Sequence, residues 1–169
     1  TYNLISAGIE RCVIATADVD PRVLGRGIEK LKSAGIKVLV GCMEADAKVS
    51  HRGFFKKVLV GQPRLTLKMA LSVDGRIGTQ SGESQWITGA AARRCGHMMR
   101  VTHDAVVVGI GTALVDDPEL TCRLPGLEER SPVRVVIDTR LRLPLVSKLV
   151  CTALETPTWV AVSAETEAD

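Results

Sequence analysis

The sequence predicts an α/β fold in two parts, and three observations lead there. Short apolar runs fit for buried strands recur along the chain, at residues 11–15 (R-C-V-I-A), 36–40, 104–109 (D-A-V-V-V-G), 133–137 and 158–162. Stretches with apolar residues at helical spacing separate them, so strands joined by crossover helices should lie parallel. Gly61-Gln62-Pro63 marks a boundary, dividing residues 1–60 from residues 61–169.

In the first part, residues 18–21 (D-V-D-P) read as a turn. Residues 25–34 follow as a helix with Ile28 and Leu31 on its apolar face, and Gly35 is its expected stop. With the runs at 11–15 and 36–40, this makes a βαβ unit. Residues 44–57 are expected to be helical but interrupted by Gly53.

In the second part, residues 64–71 (R-L-T-L-K-M-A-L) alternate, with Leu65, Leu67, Met69 and Leu71 on one face and Lys68 and Ala70 on the other. A strand is expected there, followed by a turn at Val73-Asp74-Gly75-Arg76 and a polar loop over 79–84. Thr88 is the expected cap of a helix over 89–100. On that helix Arg93, His97 and Arg100 fall at i, i+4 and i+7 and form one basic stripe. Gly109-Ile110-Gly111-Thr112 is expected to turn out of the strand before it, Asp116-Asp117-Pro118 to end the next short segment, and 124–132 to be a loop.

The 169 residues carry 22 basic and 19 acidic side chains, a net charge of +3, which excludes a polybasic nucleic-acid arm. The longest apolar stretch, 105–115, is far below the roughly 18 residues that span a bilayer, and residues 1–10 have no signal-peptide pattern. A soluble, cytoplasmic protein is expected, with neither a membrane nor a nucleic acid as partner. The 5 cysteines are odd in number and unclustered, as are the histidines, so neither a disulfide framework nor a metal site is expected. Thr1 in place of Met suggests a fragment.

Three places could carry chemistry. The glycines after the 104–109 strand let backbone N–H groups approach a phosphate, although Leu114 stands where a dinucleotide fingerprint has its third glycine. Lys68, Thr112, Asp116, Arg123 and Thr139 sit at strand ends, where ligands gather in open α/β sheets; as isolated residues they equally suit a solvated surface. Ser84-Gln85-Trp86 ends a polar loop, with a ring that either anchors a core or packs against a flat ligand.

Four blocks, in this order and spacing, resemble a known family: L-K-M-A-L-S-V-D-G-R-I-G (67–78), S-G-E-S-Q-W-I-T-G (81–89), R-V-T-H-D-A-V-V-V-G-I-G-T-A-L-V-D-D-P-E-L-T-C-R (100–123) and P-V-R-V-V-I-D-T (132–139). They are similar to the reductase domain of the bifunctional riboflavin-biosynthesis deaminase/reductase. Upstream, A-G-I-E-R-C-V-I-A, D-V-D-P-R-V-L-G-R-G-I and L-K-S-A-G-I-K-V resemble the closing part of that family's deaminase domain.

The resemblance implies a dihydrofolate-reductase-like mixed sheet with flanking helices, preceded by a βαβ remnant of a cytidine-deaminase-like domain. It implies NADPH-dependent reduction of 5-amino-6-(5-phosphoribosylamino)uracil to its ribitylamino form, by a homo-oligomer whose partner is this small molecule. Cofactor contacts carry over to Ala70, Trp86, Thr112, Asp116 and Thr139. Substrate contacts carry over to Ser84, Arg100, Leu120 and Arg123. Lys68 matches an active-site lysine, and with Asp116 it would assist proton transfer around the sugar oxygen. Arg100 and Arg123 would anchor the ribose phosphate.

The chain departs from the family in two respects. The zinc pattern of the deaminase, H-x-E…P-C-x-x-C, does not occur, so zinc and deamination belong to a part not in this sequence. Nothing after Asp138 supplies the family's later acidic substrate residue or its glycine-rich cofactor loop. Ser50-His51 stands where Leu-Asn is expected. A catalytically inactive nucleotide-binding fragment is therefore the alternative to an active reductase. An unrelated α/β dehydrogenase is disfavoured, because no G-x-G-x-x-G follows a strand.

Overall fold

The computed structural model describes residues 1–84 and 86–165, and the chain divides into two compact units between Leu67 and Lys68. In the first unit, helix α1 (Tyr2–Ser6) precedes strand β1 (Arg11–Ile14), helix α2 (Arg26–Ser33) and strand β2 (Lys37–Val40). The two strands pair in parallel, from Arg11 with Lys37 to Ile14 with Val40, and α2 is the crossover. Gly35 ends α2 as expected. At φ +81 it lets the Ile36 N–H reach the Leu31 carbonyl while its own N–H takes that of Lys32. Leu31 and Ile36, the apolar pair across this stop, are both buried.

The expected helix over 44–57 is two helices, α3 (Glu44–Ser50) and α4 (Arg52–Val60). The break falls at His51, at φ −99 and ψ 14, rather than at Gly53, which continues the second helix.

The second unit holds helix α5 (Ala90–Val101), strand β3 (Ala105–Gly109), helix α6 (Ile110–Asp116), a 3₁₀ turn (Glu128–Arg130), strand β4 (Val133–Ile137), helix α7 (Lys148–Cys151) and strand β5 (Thr158–Ala161). The sheet order is β3-β4-β5 and both pairings are parallel. Among the described residues, every pairing is thus parallel where a mixed sheet was implied. One sheet face is covered: Val106, Val108, Val136 and Val160 pack with Ile110 and Ala113 of α6, Leu149 of α7, Leu120 and Leu143. The alternate positions Val107, Ile137 and Trp159 point to the other face and are exposed.

Residues 62–72 carry neither helix nor strand, which corrects the expectation for 64–71. The alternation is real, but a strand also needs a hydrogen-bonding neighbour. No described strand pairs with this one, so Leu65 and Leu67 are 83% and 80% exposed. The cap of α5 is Gly89, not Thr88, whose carbonyl instead accepts from Arg93 NH1 at 2.5 Å. Gly109 likewise caps α6 at ψ 158, so the expected turn over 109–112 is a direct passage from strand into helix.

Candidate active site

The expected site residues fall in four places on the second unit. Thr112 and Asp116 are one turn apart on α6 and exposed, on the side away from buried Ile110 and Ala113. Thr139 is exposed two residues past β4. Because Gly109 and Ile137 are register partners at the ends of β3 and β4, the segments bearing Thr112 and Thr139 leave the sheet at the same carboxyl edge.

A second place is a surface cavity of about 340 Å³ whose lining includes Ser72, Asp74, Arg76, Ser84, Trp86 and Ile87. Two local turns build it. The Ser72 N–H donates to the Arg76 carbonyl at 2.9 Å, and the Thr79 N–H donates to that of Glu83 at 2.8 Å. The Ser72 hydroxyl donates to Asp74 Oδ1 at 2.5 Å, and chiefly this bond holds the Asp74 carboxyl below its usual range. Arg93 lies over the Trp86 ring, 4.4 Å from its centroid, so one face of that exposed ring is occupied by a cation. Gln85 lies outside the described residues.

In the third place, α5 is joined to the chain segment at 119–123. Arg100 NH1 donates to the Thr121 carbonyl at 2.7 Å. The Arg123 N–H donates to His97 Nδ1 at 3.2 Å, and Arg123 NH1 pairs with Glu119 Oε2 at 2.8 Å. Burial, then the charge of Arg123, lowers the pKa of Arg100. Burial, then Arg100 and Arg123 in turn, lowers that of His97. Leu120 sits in the hydrophobic cluster at φ +57, so its backbone rather than its side chain is what a ligand could meet. The left-handed residue redirects the chain toward Arg123.

The fourth place is the start of the unit. Lys68 is exposed and Ala70 half-buried, and Lys68 Cε stands 3.9 Å from where a β-carbon on Gly96 of α5 would lie. His97, which the sequence places in the basic stripe of α5 without a role of its own, joins the site here, and Glu119 is visible only through its ion pair with Arg123. All five cysteines are unbridged thiols. Among the described residues, no cluster of three metal-ligating side chains occurs and no helix is long and apolar enough to cross a membrane.

Comparison with known proteins extends over nearly the whole chain. The riboflavin biosynthesis protein RibD of Aquifex aeolicus is 41% identical over 167 residues, which cover 99% of this chain and 46% of that protein. The crystal structure of a diaminohydroxyphosphoribosylaminopyrimidine deaminase/5-amino-6-(5-phosphoribosylamino)uracil reductase from Thermotoga maritima superposes with a TM-score of 0.86 at 37% identity, covering 99% of this chain and 47% of that one. Acinetobacter baumannii RibD superposes with a TM-score of 0.83 at 39% identity, covering 97% and 47%. The α/β, dihydrofolate-reductase-like fold implied by the four sequence blocks is thus the one found, and the chain spans about half the length of the relatives it matches. Residues 63–169 match the family model described as the RibD C-terminal domain, and the chain belongs to that family.

Proposed function

We propose that this chain carries the reductase activity named for its relatives: NADPH-dependent reduction of 5-amino-6-(5-phosphoribosylamino)uracil to the ribitylamino form, in riboflavin biosynthesis. The observation that carries this reading is the meeting at His97 and Thr121 of the Arg100 side chain with the backbone of the segment that presents Arg123. Two guanidinium groups near enough that, after burial, the charge of Arg123 lowers the pKa of Arg100 suit a phosphate dianion, which accepts charge-assisted N–H bonds.

A dinucleotide fits the residues present. Thr112, Asp116 and Thr139 offer exposed polar groups on segments leaving β3 and β4 at one edge, which is where open α/β sheets bind nucleotides. Trp86, with Arg93 on one face, keeps its other face for a flat ring. When bound, the reduced nicotinamide supplies the hydride that the sugar's anomeric carbon accepts as its bond to the ring oxygen breaks. Lys68 Nζ is the proposed source of the proton that the freed ring oxygen takes up, and Asp116, on α6, is proposed to act on the same sugar oxygen. Arg100 and Arg123 hold the phosphate end, so the reacting carbon returns to one position. Deamination is not assigned to these residues, since the zinc-binding pattern is not among them.

The test is NADPH oxidation by this chain with the phosphorylated substrate, beside quenching of Trp86 fluorescence by NADPH in a Trp159→Phe background. A KM that rises about tenfold or more on Arg100→Ala or Arg123→Ala supports the reading. Quenching without turnover supports a nucleotide-binding chain that lacks catalysis.

A further inference from the structure

We infer that His97 is a positioning residue whose unprotonated Nδ1 sets Arg100 and Arg123 as a clamp for a phosphate dianion, a clamp that loosens in acid. This rests on the proposed assignment of the two arginines to the substrate phosphate.

The chemistry of the contact fixes the state of the ring. The Arg123 backbone N–H lies 3.2 Å from His97 Nδ1 and Arg100 NH1 lies 3.3 Å from the same nitrogen. A backbone amide nitrogen and a guanidinium nitrogen are donors only. Nδ1 must therefore accept, and the proton of the neutral ring resides on Nε2. The same Arg100 nitrogen donates to the Thr121 carbonyl. Segment 121–123 is thus tied to α5 at two points, one using its N–H and the other its C=O.

A proton on Nδ1 would oppose two donors and place a third cation beside two guanidinium groups. The backbone carbonyl of Thr121 is the acceptor that favours such a proton, and Arg100 already donates to it. The neighbouring charges offer little further relief. On α5, Arg100 faces the ring, while Arg93 is turned to Thr88 and Trp86. From the 119–123 segment come Arg123, the buried thiol of Cys122 and Glu119, whose carboxylate is engaged by Arg123. Lys68 approaches the same helix at Gly96. Burial and the two arginines hold the His97 pKa below that of an ordinary imidazole, in accord with an accepting ring at neutral pH.

Two substitutions separate positioning from bulk. His97→Asn keeps an acceptor at the place of Nδ1 and cannot be protonated, whereas His97→Leu removes the acceptor. In His97→Leu, KM for the phosphorylated substrate and Kd for ribose 5-phosphate should rise about tenfold or more, with kcat within about twofold; His97→Asn should restore both. Below about pH 6.5 the wild-type KM should climb more steeply than that of His97→Asn, a ratio in which the substrate's own phosphate ionisation cancels. Nitrogen NMR should find Nδ1 unprotonated at neutral pH, and the Arg123 amide should shift with the His97 titration. A proton on Nδ1 at neutral pH, or a His97→Asn no better than His97→Leu, overturns the inference. A wild type indifferent to ribose 5-phosphate overturns the phosphate assignment, and the clamp with it. A His97→Leu variant that binds it as tightly as the wild type overturns the clamp alone.

Discussion

Arg134 NH1 donates to the carbonyl of Glu119 at 3.2 Å, so a fully buried cation in the central strand holds the segment that presents Arg123. The same guanidinium reaches the carbonyls of Leu149, Thr152 and Thr156 and the hydroxyl of Thr152. Four carbonyls turned inward need a donor that lies at the centre and forks, which Lys does not provide. Arg134→Met should lower the unfolding free energy by about 2–4 kcal/mol, because it leaves several buried acceptors unsatisfied. Denaturant unfolding measures this, and Arg134→Lys should recover only part of it.

Glu119 competes for Arg123. Its carboxylate holds the guanidinium in an ion pair in which both side chains are about half exposed, the kind that contributes about 0–1 kcal/mol. Glu119→Gln should therefore tighten ribose 5-phosphate binding by up to about fivefold, an effect that shrinks as salt screens the pair. Calorimetric titration at two ionic strengths checks both parts, and a weaker complex would refute the competition.

Local chemistry made much of the fold legible. The runs at 105–109 and 133–137 are strands because valines pack on a pleated surface, and Gly35 stops α2 because only glycine enters its left-handed turn cheaply. What failed depended on partners. Residues 64–71 alternate correctly, yet no described edge pairs with them, and sequence alternation does not specify a neighbour. Gly109 served as a helix cap rather than a turn, a choice made by the packing of Ile110 and Ala113 on the sheet. The candidate site divides the same way. The stripe Arg93–His97–Arg100 follows from helical spacing, but the partner of His97 Nδ1 is an amide 26 residues further on. Thr112 and Thr139 are legible as polar residues at strand ends and Ser84 as the end of a polar loop, but their cofactor and substrate roles rest on the family resemblance, since an exposed hydroxyl carries no specific signal of its own.

Asp20 should be the most acidic carboxyl in the first unit's turn region. Its side chain accepts from the Arg22 guanidinium and from the Arg22 backbone N–H, and these bonds, in that order, bring its pKa down to about 2. A depressed carboxyl adds stability that is complete above its unfolded value and is lost as pH falls through the folded one. The loss should lie between about pH 4 and pH 2. Carboxyl-carbon NMR should place the Asp20 midpoint near 2 and show it rising toward the ordinary carboxylate value in Arg22→Ala.

Lys68 and Gly96 supply a test of the proposed proton donor. Gly96 lies inside α5, outside the left-handed region, and the nearest atom to an added β-carbon is Lys68 Cε at 3.9 Å, an ordinary contact. Gly96→Ala should therefore stabilise the protein by about 0.5–1 kcal/mol through helix propensity while leaving turnover intact. A leucine there would extend into the space of the lysine stem, so Gly96→Leu should lower kcat with little change in Trp86 quenching by NADPH. Lys68→Met should slow single-turnover hydride transfer by about a hundredfold or more, the scale of a lost general acid. If hydride transfer in Lys68→Met matches the wild type, the proton comes from elsewhere; if Gly96→Leu alone is silent, the lysine reaches the substrate by a path that does not run along α5.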